Sequence, residues 1–528
     1  MADPQPLLSQ SDNQQENHSN DHQQQQHEVK SLDDMIEQTI GGFGWAQLVQ
    51  AILVSLASIF DSQQAFLSVY TDAQPTWHCT NNNTTTTTCD SRRSNICKLP
   101  KSDWAWDGFA SKTIVSEWGL QCSSSAFIRG LPSSSHFMGC ILGTFFVARL
   151  ADSSLGRKNM LLLSCLVMSI TTSITILSNN VWIYSLMRFI AGVGRASIGT
   201  CTIVLLVEKV GRKWRNLVGI MDFFFFTAGT VSLPAIAYMN RDSSWRAIYL
   251  WTSVPALVYS AILYFLVSES PRWLLMQGRQ EEAMKTLKSL STLNNDIKLQ
   301  KSVVYLHRRE TSKVEDDIFS SIKDLFQRRW ARHRILALCI LGFGIGLTYY
   351  GMTLGIGNLG FDIYLSVVFN GLLEIPSFFI TYLLIERWNR RSSLLITCVL
   401  SGIFSIAIIL ADEELEKIKI GLELASFLGA CTAYNVILIY AIELFPTCVR
   451  NFATSMARQS ITFGAVLSSI LVSAGGDDNN KLLPYVVFGV VIMCCGFFVV
   501  CLPETRDVPL FDTMEEQEEH EDNNSVVV

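Results

Sequence analysis

The residues best able to do chemistry are ionisable side chains stranded in apolar sequence. Glu374 precedes Pro376 in a run that carries no other charge between Asp362 and Glu386. A charge at mid-membrane depth costs on the order of 3 kcal/mol or more, so one kept there is expected to have a function. A carboxylate in such a setting attracts a cation or carries a proton. Asp61 is a second candidate; with Gln64 and Ser68 it forms a polar stripe at i, i+3, i+7. Asp61 reads equally as a functional group or as a structural residue facing outer water. Asp222, Arg188 and Arg458 read first as structural pairs near the inner face, and Arg129 as an arginine reaching for the interface. Tyr349 and Tyr350, beside Gly351, are placed to offer ring faces to a cation, followed by Tyr434 and Asn435. The run Phe223–Phe226 goes right round a helix, so most of it should face lipid or core.

The elements that hold these residues are long apolar spans. The chain has 528 residues, 49% hydrophobic and 17% charged, against the ~25% charge of a soluble domain. Its mean hydropathy is +0.27 although both ends are polar. Spans of membrane-crossing length occur near 43–66, 127–148, 160–178, 182–207, 217–239, 247–267, 335–356, 362–385, 393–411, 420–442, 459–474 and 483–502. This predicts an all-α membrane protein of twelve transmembrane helices in two six-helix bundles, 43–267 and 335–502. It excludes a soluble enzyme and a nucleic-acid binder. The Gln/Asn/Ser-rich segment 1–42 reads as a disordered tail, 268–334 as a charged middle loop and 503–528 as an acidic tail.

Basic residues follow the even-numbered spans: Arg149, Arg157 and Lys158; Lys209, Arg212, Lys213 and Arg215; Arg387, Arg390 and Arg391; Arg450. By the positive-inside rule those ends, both tails and the middle loop are cytosolic. The long 67–126 loop then faces outside or into a lumen. It holds Cys79, Cys89, Cys97 and Cys122, enough for two disulfides whose pairing the sequence leaves open. Asn82 and Asn83 each begin an N-glycosylation acceptor site. The remaining cysteines read as small buried hydrophobes and show no zinc-ligand spacing. No metal, cofactor or nucleophile-base constellation stands out. Gly192-x-Gly194 has no preceding strand, and Gly211-Arg-Lys-Trp lacks the glycine and Ser/Thr of a phosphate loop.

The two halves repeat. After the second span comes Ala148-Arg-Leu-Ala-Asp152-Ser-Ser-Leu-Gly156-Arg157-Lys158; after the eighth comes Glu386-Arg387-Trp-Asn-Arg390-Arg391. After the fourth and tenth come Glu208-Lys-Val-Gly-Arg-Lys-Trp-Arg215 and Glu443-Leu-Phe-Pro-Thr-Cys-Val-Arg450. In both, Glu and Arg lie seven apart, two helical turns, so they are expected to share a face and pair, or to engage the acidic–basic loops. Corresponding motifs in both halves point to an internal repeat. Span 6 ends Glu269-Ser-Pro-Arg-Trp-Leu, and span 12 ends Pro503-Glu-Thr-Arg506.

Taken in order, these motifs resemble the major facilitator superfamily. Glu269-Ser-Pro-Arg-Trp-Leu and Glu443-Leu-Phe-Pro-Thr-x-x-Arg resemble its organic cation/carnitine transporter family. Phe60-Asp-Ser-Gln-Gln, Pro75-Thr-Trp-His-Cys and Leu150-Ala-Asp-Ser-Ser-Leu-Gly-Arg-Lys-Asn resemble the plant branch. The resemblance implies a non-enzymatic secondary or facilitative transporter of carnitine-like, quaternary ammonium or polyamine-like cations, working by alternating access with proton coupling as an option. A sugar porter or a non-transporting receptor of the same fold are the alternatives. Glu374 matches a substrate-cavity Glu of organic cation transporters. With the residues singled out above, the expected substrate set is Glu374, Tyr349, Tyr350, Asp61, Gln64, Tyr434 and Asn435. The expected cytosolic gate is Asp152, Arg157, Arg387 and Arg391 with Glu208, Arg215, Glu443 and Arg450, and the further motif residues are Gly156, Lys158, Arg188 and Glu386. Three positions depart from the pattern: Ala148 for Gly, Gly211 for Pro, and Thr462 where animal relatives carry an acid. The expected protein is a monomer in lipid with no cofactor and no nucleic-acid partner. Asp3-Pro-Gln-Pro-Leu7-Leu8 resembles an acidic dileucine signal, favouring the vacuolar membrane over the plasma membrane.

Overall fold

In the computed structural model, residues 42–80, 96–108, 110–122, 125–151, 155–290, 325–411, 416–475, 481–506, 511 and 513–519 are described. Asn82, Asn83, Cys89, Asp152 and the dileucine lie outside them. Six helices form the first bundle: α1 (Trp45–Thr71), α2 (Ala126–Ala151), α3 (Arg157–Thr175), α4 (Val181–Glu208), α5 (Arg215–Met239) and α6 (Trp245–Leu266). Six form the second: α7 (Arg329–Gly355), α8 (Ile363–Arg387), α9 (Arg390–Leu410), α10 (Glu416–Leu444), α11 (Thr447–Ala474) and α12 (Leu483–Phe497). Ten of these are long and apolar enough to cross a membrane. The other two, α2 and α11, are 26 and 28 residues long and pack on each other between the bundles. Facing protein, they carry polar residues that lipid would not accept: Ser134 Oγ of α2 donates to the Val466 carbonyl of α11 at 3.0 Å.

Local chemistry sets several helix ends. Asn180 caps α4 by accepting from Ile183 N at 2.9 Å, and Asp362 caps α8 by accepting from Tyr364 and Leu365 N. Two sequence expectations are revised by the structure. Span 11 begins at Thr447 rather than 459, and within it the Ser460 hydroxyl donates to the Cys339 carbonyl of α7. The Glu–Arg pairs spaced by seven do not share one helix. Between Glu208 and Arg215 the chain leaves α4 and restarts as α5, and Pro446 separates Glu443 from Arg450. Two-turn spacing holds only along an unbroken helix.

The first bundle is drawn tight where α2 crosses α4. A Cβ on Gly192 would lie 2.0 Å from the His136 carbonyl oxygen, so only glycine permits this approach. The 67–126 segment adds a small antiparallel ribbon, β1 (Trp77–Cys79) with β2 (Trp104–Trp106). A disulfide joins Cys97 to Cys122, and Cys79 is also disulfide-bonded. The segment is tied to the bundle by Glu117, which accepts from both guanidinium ends of Arg246 at 2.7 and 2.9 Å and from Trp245 Nε1 at 2.6 Å. At the opposite face, short helices Pro271–Met276 and Gln280–Leu290 lie under α1, where Gln47 Nε2 donates to the Leu290 carbonyl at 3.2 Å.

Candidate substrate site between the bundles

A cavity of about 190 Å³ lies between the bundles, walled by α1, α2, α4, α5, α7, α8, α10 and α11. On the side of the 67–126 loop it is roofed by aromatics. Phe66, Phe137, Tyr349 and Tyr350 form one cluster, with Phe137–Tyr350 centroids 4.9 Å apart and Tyr349–Tyr350 centroids 5.0 Å apart. Further out, Tyr70 stacks on Tyr364 across the bundle interface at 5.5 Å. Toward the tails the lining runs on to Thr144, Thr200, Ile203 and Ser455.

Glu374 of α8 reaches this cavity while remaining nearly inaccessible to solvent. Its Oε1 accepts from the Tyr349 hydroxyl and its Oε2 from the Thr227 hydroxyl, each at 2.8 Å. The donors come from α7 and α5, so one carboxylate is held by both bundles. Tyr349 is itself sandwiched, stacked on Phe427 at 5.3 Å and tilted against Tyr434 at 5.2 Å. Asn435 donates from Nδ2 to Ser377 Oγ at 3.2 Å, one turn from Glu374. Glu374, Tyr349, Tyr350, Tyr434, Asn435 and Asp61 therefore line one cavity.

Asp61 does not face outer water. It is buried and clamped by Arg195 of α4, with Nε to Oδ1 at 2.9 Å and Nη2 to Oδ2 at 3.1 Å. Gln64 lies outside the cavity lining. Its side-chain oxygen faces Thr172 and Arg188, while the Arg188 guanidinium also holds the Gln64 carbonyl at 3.3 Å and Ser68 Oγ at 3.0 Å. The i, i+3, i+7 stripe of α1 thus serves two different arginines. Asp222 accepts from Ser58 Oγ at 2.6 Å and lines the cavity. Arg129 borders a separate outer hollow of about 420 Å³ and donates to the Gln121 carbonyl.

Arg458 of α11 also lines the cavity. Among the described residues its guanidinium makes neither a hydrogen bond nor an ion pair, and its charge is felt by Asp222. The cavity thus presents a carboxylate framed by tyrosine rings and an unspent guanidinium. Sequence reasoning passed over Arg195 and the fully buried Glu423 of α10. Both lie inside predicted spans, so the signal that found Glu374 was present for them as well.

The repeated motifs pair within each bundle. In the second half, Arg390 grips Glu443 with two contacts at 3.1 Å, and Thr505 Oγ1 donates to Glu443 at 2.6 Å. The backbone N–H groups of Arg390 and Arg391, opening α9, hold Glu504 at 2.9 and 3.2 Å. In the first half the same parts recur. Lys158 N, opening α3, holds Glu269 at 2.9 Å, while Glu208 meets Ser270 and the charge of Arg157. Gly156, at φ +86° just before α3, is needed there: a Cβ would meet Glu269 Oε2 at 2.4 Å. Arg391 and Arg506 cover backbone carbonyls of Val500, Arg387 and Glu386, and Arg450 covers that of Phe445. Arg215 is partnered as well.

Residues 16–519 match the family model described as sugar (and other) transporter. The chain is 49% identical to organic cation/carnitine transporter 3 of Arabidopsis thaliana over 93% of its own length and 94% of the relative. It is 48% identical to organic cation/carnitine transporter 2 of the same plant, over 94% and 96%. To solute carrier family 22 member 3 of Mus musculus it is 30% identical over 79% and 73%. Among solved structures it superposes on the inward-open xylose transporter XylE from E. coli with a TM-score of 0.58 at 15% identity, covering 88% of this chain and 98% of that one. A D-xylose–proton symporter gives 0.59 at 16%, over 88% and 99%. With two like bundles, a cavity between them and paired motifs at their ends, the chain is a multi-pass membrane protein of the organic cation/carnitine transporter family within the major facilitator superfamily.

Proposed function

We propose that this protein moves small organic cations by alternating access, with Glu374 as the cation-binding carboxylate. The observation that carries the reading is Glu374 itself: an acid between both bundles, hydrogen-bonded by Tyr349 and Thr227, with tyrosine rings beside it. Ring faces and a carboxylate suit a quaternary ammonium, which attracts by charge and cannot donate hydrogen bonds. Arg458 narrows the class further. A guanidinium without a partner in the same cavity fits a substrate carboxylate, so a zwitterion such as carnitine fits better than a polyamine. The names of the Arabidopsis relatives support that class.

The aromatic roof and the lining that continues toward the tails describe a state closed on the loop side. With the tails cytosolic, as the basic loops require, that state faces inward. The Arg390–Glu443–Glu504 and Lys158–Glu269 clusters each brace one bundle here; in the outward-facing state they meet to form the cytosolic gate. Within the cavity, Asp61, clamped by Arg195, and Glu374 are two groups positioned to take up a coupled proton. A single chain encloses the whole cavity, which suits a monomer, and the dileucine motif favours the vacuolar membrane.

Uptake into proteoliposomes tests this directly. Labelled carnitine, tetraethylammonium and glucose are each offered with and without a pH gradient. The expected result is carnitine uptake above tetraethylammonium, no glucose uptake, and stimulation by the gradient. Glucose uptake without cation uptake would make the protein a sugar porter, and no uptake of any would leave a receptor.

A further inference from the structure

Glu423 of α10 is as buried as any residue in the molecule, at 0% exposure, and lies outside the substrate cavity. Its one hydrogen bond is to the side-chain amide of Asn370 on α8: Nδ2 donates to Oε1 at 3.0 Å. Two atoms of this pair are left over. Glu423 Oε2 and Asn370 Oδ1 are both buried and both without a partner. If the carboxyl is ionised, both are acceptors and neither can serve the other. Buried polar groups are rarely left so, and an unpaired buried charge is costlier still. Among the described residues no cation pairs with Glu423.

One proton resolves both atoms. A carboxylic acid and a primary amide are complementary: the amide N–H donates to one acid oxygen, and the acid O–H donates to the amide oxygen. Turning the amide over exchanges the two contacts and leaves the same requirement. We infer that Glu423 is a proton-binding site, held in this conformation as the carboxylic acid and paired face to face with Asn370. Loss of the proton breaks that pair and places a bare carboxylate between α8 and α10, so deprotonation works against this packing.

The placement gives the proton something to act on. Asn370 lies one helical turn from Glu374 on α8, and Phe427, one turn from Glu423 on α10, stacks on the Tyr349 that holds Glu374. Any shift of α8 on α10 therefore moves the substrate carboxylate. Among the described residues, Lys419 lies one turn back on α10 and Glu374 one turn on along α8, Tyr349 of α7 is held through Glu374, and Tyr485 of α12 lies near Glu423. Tyr485 is spent on the Gly355 carbonyl at 2.6 Å and Tyr349 on Glu374. α9 packs along α10, and its Ser401 and Ser405 donate to the Ser426 and Tyr485 carbonyls.

Glu423→Gln is the informative variant, because glutamine makes both bonds to Asn370 without a proton. Infrared spectra of the full-length protein in lipid nanodiscs at neutral pH read the site independently of transport. The native protein should show a buried carboxylic-acid carbonyl band that is missing in Glu423→Gln and displaced in Asn370→Leu. Identical carbonyl bands in native protein and Glu423→Gln would overturn the assignment. The transport consequence rests on the reading proposed above and is measured with labelled carnitine. Glu423→Gln should keep carnitine exchange within about twofold and lose at least about tenfold of pH-gradient-driven accumulation. Native-like accumulation by the variant would overturn the coupling role. A native protein that shows the band yet accumulates no carnitine on any gradient would uphold the site and refute the proton-coupled transport reading. If Glu423→Gln does not fold, Glu423→Asp serves instead, since a shortened acid should displace the band.

Discussion

Replacing Glu374 with glutamine isolates the charge on which the substrate reading depends. Glutamine keeps the size and one acceptor oxygen, so Tyr349 or Thr227 can still donate, each now at 2.8 Å from the carboxylate. What disappears is the attraction for a cation. Two unit charges about 4 Å apart interact by about 4 kcal/mol at an effective dielectric of about 20. A quaternary nitrogen shielded by its methyl groups gains less than that, and gives up hydration on entry. A net loss of about 2–3 kcal/mol remains, which is roughly 30- to 150-fold in Kd. Binding of labelled tetraethylammonium to the purified protein reads this most simply, because that ion has no second charge to be held elsewhere. Glucose binding, if any, should change by less than about twofold, since it never used the charge. A loss in cation affinity under about threefold would show that Glu374 is a structural acid bridging α5, α7 and α8, and that the cation binds elsewhere.

Arg458→Gln should weaken carnitine binding by about 10- to 100-fold, the worth of a charge-assisted hydrogen bond, and leave tetraethylammonium within about twofold; equal losses for both ligands would deny it a role with the substrate carboxylate. Gly192→Ala sets a methyl 2.0 Å from the His136 carbonyl oxygen, so α2 and α4 must part at a cost of about 1–3 kcal/mol, seen as a lower thermal midpoint in detergent. An unchanged midpoint would mean the crossing is not tightly packed. Partial burial works to raise the Glu117 pKa, but hydrogen bonds from Arg246 and Trp245 and the Arg246 charge outweigh it, holding the group below the ordinary glutamate value. A lowered folded-state pKa stabilises above the unfolded value near 4.3 and loses that stabilisation as pH falls through the folded one. The thermal midpoint should therefore drop below about pH 4, and Glu117→Gln should flatten that leg of the profile; a variant with the native profile would place the acid sensitivity elsewhere.

The apolar spans were legible from sequence because hydrocarbon imposes a length and a composition on any helix that crosses it. The same rule exposed Glu374, and the structure brings Tyr349, Tyr350 and Tyr434 into the cavity it lines. The repeated motifs placed Glu443, Arg390 and Glu504 at corresponding ends of the two halves, since short acidic–basic turns are local features. Partners were another matter. Gln64 and Asp61 share a face of α1, yet one meets Arg188 and the other Arg195, because α4 crosses that face with two arginines two turns apart. Glu208 and Arg215 looked like one helical face until the chain broke between them, and Glu443 found Arg390, 53 residues away. Whether Arg458 is spent or free, and whether Glu423 meets a cation or an amide, depends on which helices pack together. Hydropathy along one chain records that a helix must be buried, but only tertiary packing decides which side chains it is buried against.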